Sequence, residues 1–331
     1  MLKKALLFSL GGLALVLIIA VVFIKFLLPN VGEAPYLEIA SSPERVEHGK
    51  YLANHVAVCM DCHSARDWKR YTGPLVPGTF GKGGEYFGPE MGFPGKFYAK
   101  NLTPIHLGNW SDGELFRAIT TGVSKDGHAL FPVMPYLYYG KMDEEDIYSI
   151  IAYLRTLEPI ENEIPRAEVD FPMNLILNTI PTKAALTEIP NENDAVAYGA
   201  YLTNAASCIE CHTQANKGNL NLEMAFAGGR EFKLPNGIVR SANITPDKDT
   251  GIGNWNEEAF VARFKVFENT NTLREMKDGE TNTIMPWSMF AGMKTSDLKA
   301  IYAYLQTRKP IKNKVSHFDV QLSMNNDQES I

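Results

Sequence analysis

Residues 48–63 read HGKYLANHVAVCMDCH, and residues 198–212 read YGAYLTNAASCIECH. Both end in C-x-x-C-H, with Cys59, Cys62 and His63 in one stretch and Cys208, Cys211 and His212 in the other. Two thiols one helical turn apart suit thioether bonds to the two vinyl groups of a porphyrin, and the adjacent imidazole then faces the iron. The chain has 4 cysteines, all within these motifs. A structural disulfide is disfavoured by the tight two-residue gap, and no cysteine remains for other bridges. A redox dithiol has no need of a histidine after each pair. Four thiolates sharing one zinc would require the two stretches to meet at the metal. The motifs therefore predict two covalently bound haem c groups.

The surrounding sequence repeats in the same order. Asn101-Leu102-Thr103-Pro104 matches Asn243-Ile244-Thr245-Pro246, and Gly108-Asn109-Trp110 matches Gly253-Asn254-Trp255. Val133-Met134-Pro135-Tyr136 matches Ile284-Met285-Pro286-Trp287, and IYSIIAYLRTLEPIEN at 147–162 matches LKAIYAYLQTRKPIKN at 298–313. Each half is thus expected to be one folding unit holding one haem, which counts against a shared zinc. Of the 12 methionines, Met134 and Met285 stand at equivalent places, each before a proline. The fixed φ and missing N–H of proline favour an extended loop over a helix. These two are the expected axial sulfur ligands opposite His63 and His212. Met142 and Met293 also align, near the start of the last helix of each half. His48, His55, His106, His128 and His317 lack such pairing, so surface or hydrogen-bonding roles are expected and bis-histidine ligation is disfavoured.

The pattern reads as all-α. Ser41 or Ser42, with Pro43 and Glu44, opens a helix toward Cys59, and Asn193 or Asp194 opens its counterpart toward Cys208. Ser111 and Glu114 form a capping box after Trp110, and Asn256 caps the equivalent helix. Ile147, Ile150, Ile151 and Leu154 predict a helix from Asp143 to near Leu157, and Arg308 and Lys309 suit the C-terminal dipole of its partner. Gly49 and Gly199 are equivalent in the first helix, Tyr153 and Tyr304 in the last. A helix-interior glycine costs ~1 kcal/mol against alanine, so a close helix crossing is expected there. Trp110 and Trp255 are read as core residues whose indole N–H groups also suit a haem propionate. The organisation is an anchor at 1–30, a first domain at 31–162, a linker at 163–192 whose apolar stretch 171–180 lies along both domains, a second domain at 193–315 and a loose polar tail at 316–331.

Lys3 and Lys4 precede an uncharged run from Ala5 to Ile24, followed by Lys25. Twenty helical residues span ~30 Å, the hydrocarbon thickness of a bilayer. Cleaved export signals have apolar cores of only ~7–15 residues. The small-x-small triplet Gly32-Glu33-Ala34 lies well past this run. Retention as a single-pass anchor, with residues 5–24 in the lipid bilayer, is therefore favoured over cleavage. The leading lysines favour a cytoplasmic N-terminus, which puts the remaining chain on the periplasmic side of the inner membrane. Formal net charge is −6 and no basic block stands out, so no nucleic acid partner is expected.

At these residues the chain resembles the mono- and diheme cytochrome c superfamily. More narrowly, it is similar to the cytochrome c subunits of membrane-bound alcohol, aldehyde and gluconate dehydrogenases. The resemblance rests on both N-[LI]-T-P segments, G-N-W before an acidic helix start, DGHALFPVMPY at 126–136 and Phe171-Pro172-x-Asn174. Such subunits usually carry three attachment motifs, against two here, and lack a dedicated N-terminal span. The resemblance implies two tandem class I-like cytochrome c domains that take electrons from a partner dehydrogenase. With both irons six-coordinate, the expected role is a non-catalytic carrier between a dehydrogenase or quinol and a soluble cytochrome or terminal oxidase. The alternative, a diheme peroxidase or sulfur-compound dehydrogenase, needs an iron with a displaceable ligand, against which the paired Met-Pro motifs argue.

Overall fold

The computed structural model describes residues 2–234, 236–316 and 318–320. Helix α1 (Leu2–Phe26) is the one helix among them long and apolar enough to cross a membrane, and its leucines, isoleucines and phenylalanines face outward along its length. Near its end, the Ile24 carbonyl accepts Asn178 Nδ2 at 3.2 Å.

In the first half, α2 (Pro43–Tyr51) starts where the Ser42 hydroxyl accepts the Arg45 N–H and Pro43 sets the first helical φ. The expected helix toward Cys59 is present: α2 continues without a break into a π-helical turn over Leu52–Val56, and α3 (Cys59–His63) follows after Ala57 and Val58. β1 (Tyr86–Phe87) and β2 (Gly95–Tyr98) pair antiparallel. α4 (Pro104–Leu107) precedes α5 (Asp112–Thr121), whose Ser111–Glu114 capping box is complete. α6 (Tyr136–Tyr139) and α7 (Glu144–Leu154), capped by Asp143, complete the half. β3 (Glu168–Val169) adds to β2, and α8 (Met173–Ile176) follows.

The second half repeats the plan. α9 (Ala195–Ala205), capped by Asp194, leads to α10 (Cys208–Cys211). β4 (Ala215–Asn216) and β5 (Asn219–Leu220) form a hairpin, and β6 (Glu231–Leu234) pairs with β7 (Gly237–Arg240). α11 (Glu257–Lys265), capped by Asn256, α12 (Trp287–Phe290) and α13 (Thr295–Gln306) complete the helices. β8 (Phe318–Val320) pairs with β7 in the register Gly237↔Val320.

The architecture is thus mainly helical but not all-α. Eight short strands form three small sheets among the described residues. None is longer than four residues, too short for an alternating pattern to be legible. The polar tail is likewise not loose over residues 318–320, because the open edge of β7 takes them up; His317 and residues 321–331 lie outside the described residues.

The expected helix crossings are present. A Cβ on Gly49 would lie 1.7 Å from the Ser149 carbonyl oxygen of α7, and one on Gly199 1.9 Å from that of Ala300 in α13. Tyr304 lines the second crossing, 3.0 Å from the Gly199 position. Its counterpart Tyr153 instead accepts Asn54 Nδ2 on its hydroxyl at 3.2 Å. One apolar cluster runs through both halves, joining Leu52, Ile147 and Ile151 to Leu202, Leu298 and Leu305.

The contacts between halves are reciprocal. Tyr51 of α2 donates to Asp297 Oδ2 at the start of α13 at 2.5 Å, and Tyr201 of α9 donates to Asp146 at the start of α7. Burial, and then the neighbouring carboxylate, push both phenols well above their ordinary pKa, which keeps the donating proton in place. Equivalent residues meeting crosswise is the pattern of a two-fold interface. Trp110 packs half-buried on the core, whereas Trp255 is exposed, so the core reading holds for the first alone.

Candidate haem attachment sites

Cys59 and Cys62 lie on the single turn of α3, Cys208 and Cys211 on that of α10, and all four thiols are free. Each turn is entered through a left-handed residue, Val58 at φ 46° and Ser207 at φ 53°. Left-handed conformations outside glycine persist where the surroundings impose them, often at functional sites. Burial pushes Cys59 and Cys208 up to about 12, so they are neutral thiols without the lowered pKa of a redox dithiol. Among the described residues, no group of three or more His, Cys, Asp or Glu side chains is arranged to hold a metal ion.

The histidines are oriented alike. His63 Nδ1 donates to the Lys100 carbonyl at 2.7 Å, and His212 Nδ1 to that of Ala242 at 2.8 Å. These carbonyls immediately precede the two N-x-T-P segments. Asn101 Oδ1 accepts the Thr103 N–H at 2.8 Å and its hydroxyl at 2.7 Å, while Nδ2 donates to Ile160 O at 2.8 Å. Asn243 repeats all three bonds with Thr245 and Ile311. These asparagines and threonines are buried, so each motif is a clip that fixes the carbonyl gripping the histidine. Gly83 and Gly228, both at φ 70°, close the arrangement by donating backbone N–H to His63 O and His212 O. A Cβ on Gly83 would meet Lys100 O at 2.6 Å, and one on Gly228 would meet Ala242 O at 2.4 Å. Burial holds the His63 pKa below its usual value, which favours the neutral ring, the form able to bind a metal.

Met134 and Met285 lie half-buried against the apolar cluster. Each opens the same turn: Tyr136 N–H bonds Met134 O at 2.8 Å, and Trp287 N–H bonds Met285 O at 2.7 Å. Pro135 (φ −81°, ψ 48°) and Pro286 (φ −78°, ψ 60°) are the central residues of inverse γ-turns. Proline is suited there because its own φ matches. Met142 and Met293 are fully buried core residues. Three of the rival histidines are engaged: His48 Nε2 with Asp146 at 2.6 Å, His55 Nδ1 with Met289 O at 2.8 Å, and His128 Nδ1 with Ser124 Oγ at 2.8 Å.

Sequence reasoning passed over the acidic third residue of each motif. Asp61 pairs with Arg66 at 2.9 Å and Glu210 with Arg230 at 2.5 Å. The signal was present in CMDCH and CIECH, which place an acid at the same position.

The Met285 loop also carries an exposed ion pair, Arg274 to Glu280 at 2.6 Å. The Arg274 guanidinium, and then the Lys277 N–H, hold the Glu280 carboxyl down to about 2. A depressed folded pKa stabilises above the unfolded value and is lost as pH falls through the folded one. Amides 274–284 are therefore expected to exchange hydrogen faster in Glu280→Gln than in the parent at pH 6, with the difference vanishing near pH 2. An unchanged difference at low pH would exclude this role for Glu280.

No family model matches the chain. In sequence it resembles dehydrogenase cytochrome c subunits over most of its length, as its motifs implied. It is 28% identical over 293 residues to the fructose dehydrogenase cytochrome subunit of Gluconobacter japonicus, covering 84% of this chain and 56% of that protein. It is 25% identical over 281 residues to the cytochrome c subunit of the quinone alcohol dehydrogenase of Gluconobacter oxydans (strain 621H), covering 79% and 54%. A diheme cytochrome c-type protein of Cereibacter sphaeroides is 28% identical over 200 residues, covering 57% and 64%. The chain spans about half the length of the dehydrogenase subunits it matches.

Proposed function

We propose that this chain is a membrane-anchored diheme c-type cytochrome that passes single electrons from a dehydrogenase or quinol donor to a soluble cytochrome or terminal oxidase. The observation that carries the reading is the doubled site, in which paired free thiols share one helical turn and the following histidine commits Nδ1 to a backbone carbonyl. A covalently attached haem fits that donor set, and when bound it supplies a one-electron iron couple.

The protein's part is to hold and tune. The Nδ1–H bonds of His63 and His212 fix the tautomer whose Nε2 lone pair serves as ligand, and raise its basicity. Met134 and Met285 would hold the iron through sulfur, a ligand that favours a higher potential than a second histidine. The continuous apolar cluster around both sites excludes water. Residues 31–162 and 193–315 form two class I-like domains with one haem each, joined by the linker 163–192. Residues 1–30 anchor them on the periplasmic face of the inner membrane. A dehydrogenase partner is supported by the likeness to cytochrome subunits of fructose and alcohol dehydrogenases.

Mass spectrometry of the mature full-length chain tests the reading. Two haem additions are expected, falling to one in either Cys59→Ala/Cys62→Ala or Cys208→Ala/Cys211→Ala. Unmodified cysteines in mature material would overturn it. Purification of the native membrane complex is expected to bring a dehydrogenase with the chain.

A further inference from the structure

The loops that carry Met134 and Met285 are held from the opposite half. Met285 O accepts Thr72 Oγ1 at 3.2 Å, and Met289 O accepts His55 Nδ1 at 2.8 Å. Tyr138 O accepts Asn204 Nδ2 at 3.0 Å, and the Tyr138 hydroxyl donates to Glu210 Oε2 at 2.8 Å. Tyr138 and Met289 stand at equivalent places after their methionines, so the clasp is reciprocal.

Each clasp ends on the other half's attachment turn. Glu210 lies between Cys208 and Cys211. Thr72 O accepts Arg66 Nη2 at 2.7 Å, and Arg66 Nη1 pairs at 2.9 Å with Asp61, between Cys59 and Cys62. The Arg66 side chain is 5% exposed, and Thr72 is wholly buried. Thr72 is also left-handed at φ 62°, unfavourable for a β-branched residue. Its N–H is held by Asn282 Oδ1 at 2.9 Å, and around it Tyr71 N–H bonds Arg274 O and Met276 N–H bonds Lys69 O. A buried, strained residue fixed on every side is a rigid support for the loop it contacts.

We propose that Thr72 is a positioning residue for Met285 on the opposite half, and that Tyr138, held by Glu210 and Asn204 of the opposite half, is one for Met134, so that methionine ligation at each iron depends on the polypeptide around the other. The inference rests on the haem reading and deepens it. With haem bound, opening of the loop would draw the sulfur away from the iron, and each cross-half bond lowers the population of the open loop.

Cyanide binding to the oxidised full-length holoprotein reads that opening, because cyanide must replace the methionine. Met285→Ala assigns one of the two binding phases to the second haem by removing its slow step. Thr72→Val is expected to speed that phase about fivefold, the factor that one hydrogen bond of ordinary net strength gives. Thr72→Ser keeps the hydroxyl and is expected to restore the parental rate. Tyr138→Phe is expected to speed the other phase by a similar factor. Equal acceleration of both phases by Thr72→Val, or none, would overturn the proposal. If Met285→Ala changes neither phase, the ligand assignment itself fails, and the proposal with it.

Discussion

Met285→Ala is expected to abolish the sulfur-to-iron charge-transfer band of one haem and lower that haem's midpoint potential, leaving the other haem unchanged. The drop should be roughly a hundred millivolts or more, within the ~0.8 V that axial ligation spans. Met134→Ala is expected to give the mirror result. The physical basis is that a thioether favours the reduced iron, and water or a nearby imidazole replaces it poorly. Met142→Ala is the control, since that side chain is fully buried in the core. Truncating it should cost about 2–5 kcal/mol of stability through loss of packing and a residual cavity, yet leave both bands in place. Redox titration with optical detection separates the outcomes, and a surviving band pair in Met285→Ala would exclude Met285 as a ligand.

Gly49→Ala is expected to destabilise the protein strongly although alanine is the better helix former. The added methyl carbon would lie 1.7 Å from Ser149 O, 2.3 Å from Ser149 C and 3.0 Å from Ile150 N. All three are backbone atoms in the interior of α7, so no side chain can swing aside. The helices must separate, and the cost should be about 3 kcal/mol or more, against the ~1 kcal/mol that propensity alone would return. Because α2 runs into the turn bearing Cys59 and His63, haem content should fall with stability. Gly199→Ala meets Ala300 O at 1.9 Å and should behave alike. Gly12→Ala, with nothing within 4 Å, should leave thermal unfolding unmoved. Equal melting temperatures for Gly49→Ala and the parent would disprove the crossing.

The two glycines were legible because their cost recurs at matching places, and a repeated cost implies a repeated cause. The caps at Ser42, Ser111, Asp143, Asp194 and Asn256 were legible for a similar reason, as capping acts within one turn. The strands were not, since two- to four-residue segments are set by the glycine turns and open edges beside them rather than by their own pattern. The N-x-T-P segments were visible as repeats, but their role depends on a carbonyl meeting a histidine distant in sequence.

The reading of two attachment turns comes from the sequence alone. Two thiols and an imidazole on one helical turn are placed by bond geometry, whatever surrounds them. The tertiary structure decided what braces the loops that carry Met134 and Met285. Thr72 and Met285 are 213 residues apart, and Tyr138 and Glu210 are 72 apart. Those pairs come together only because the duplicated halves pack crosswise through a shared apolar core, and burial there makes each lone hydrogen bond worth keeping.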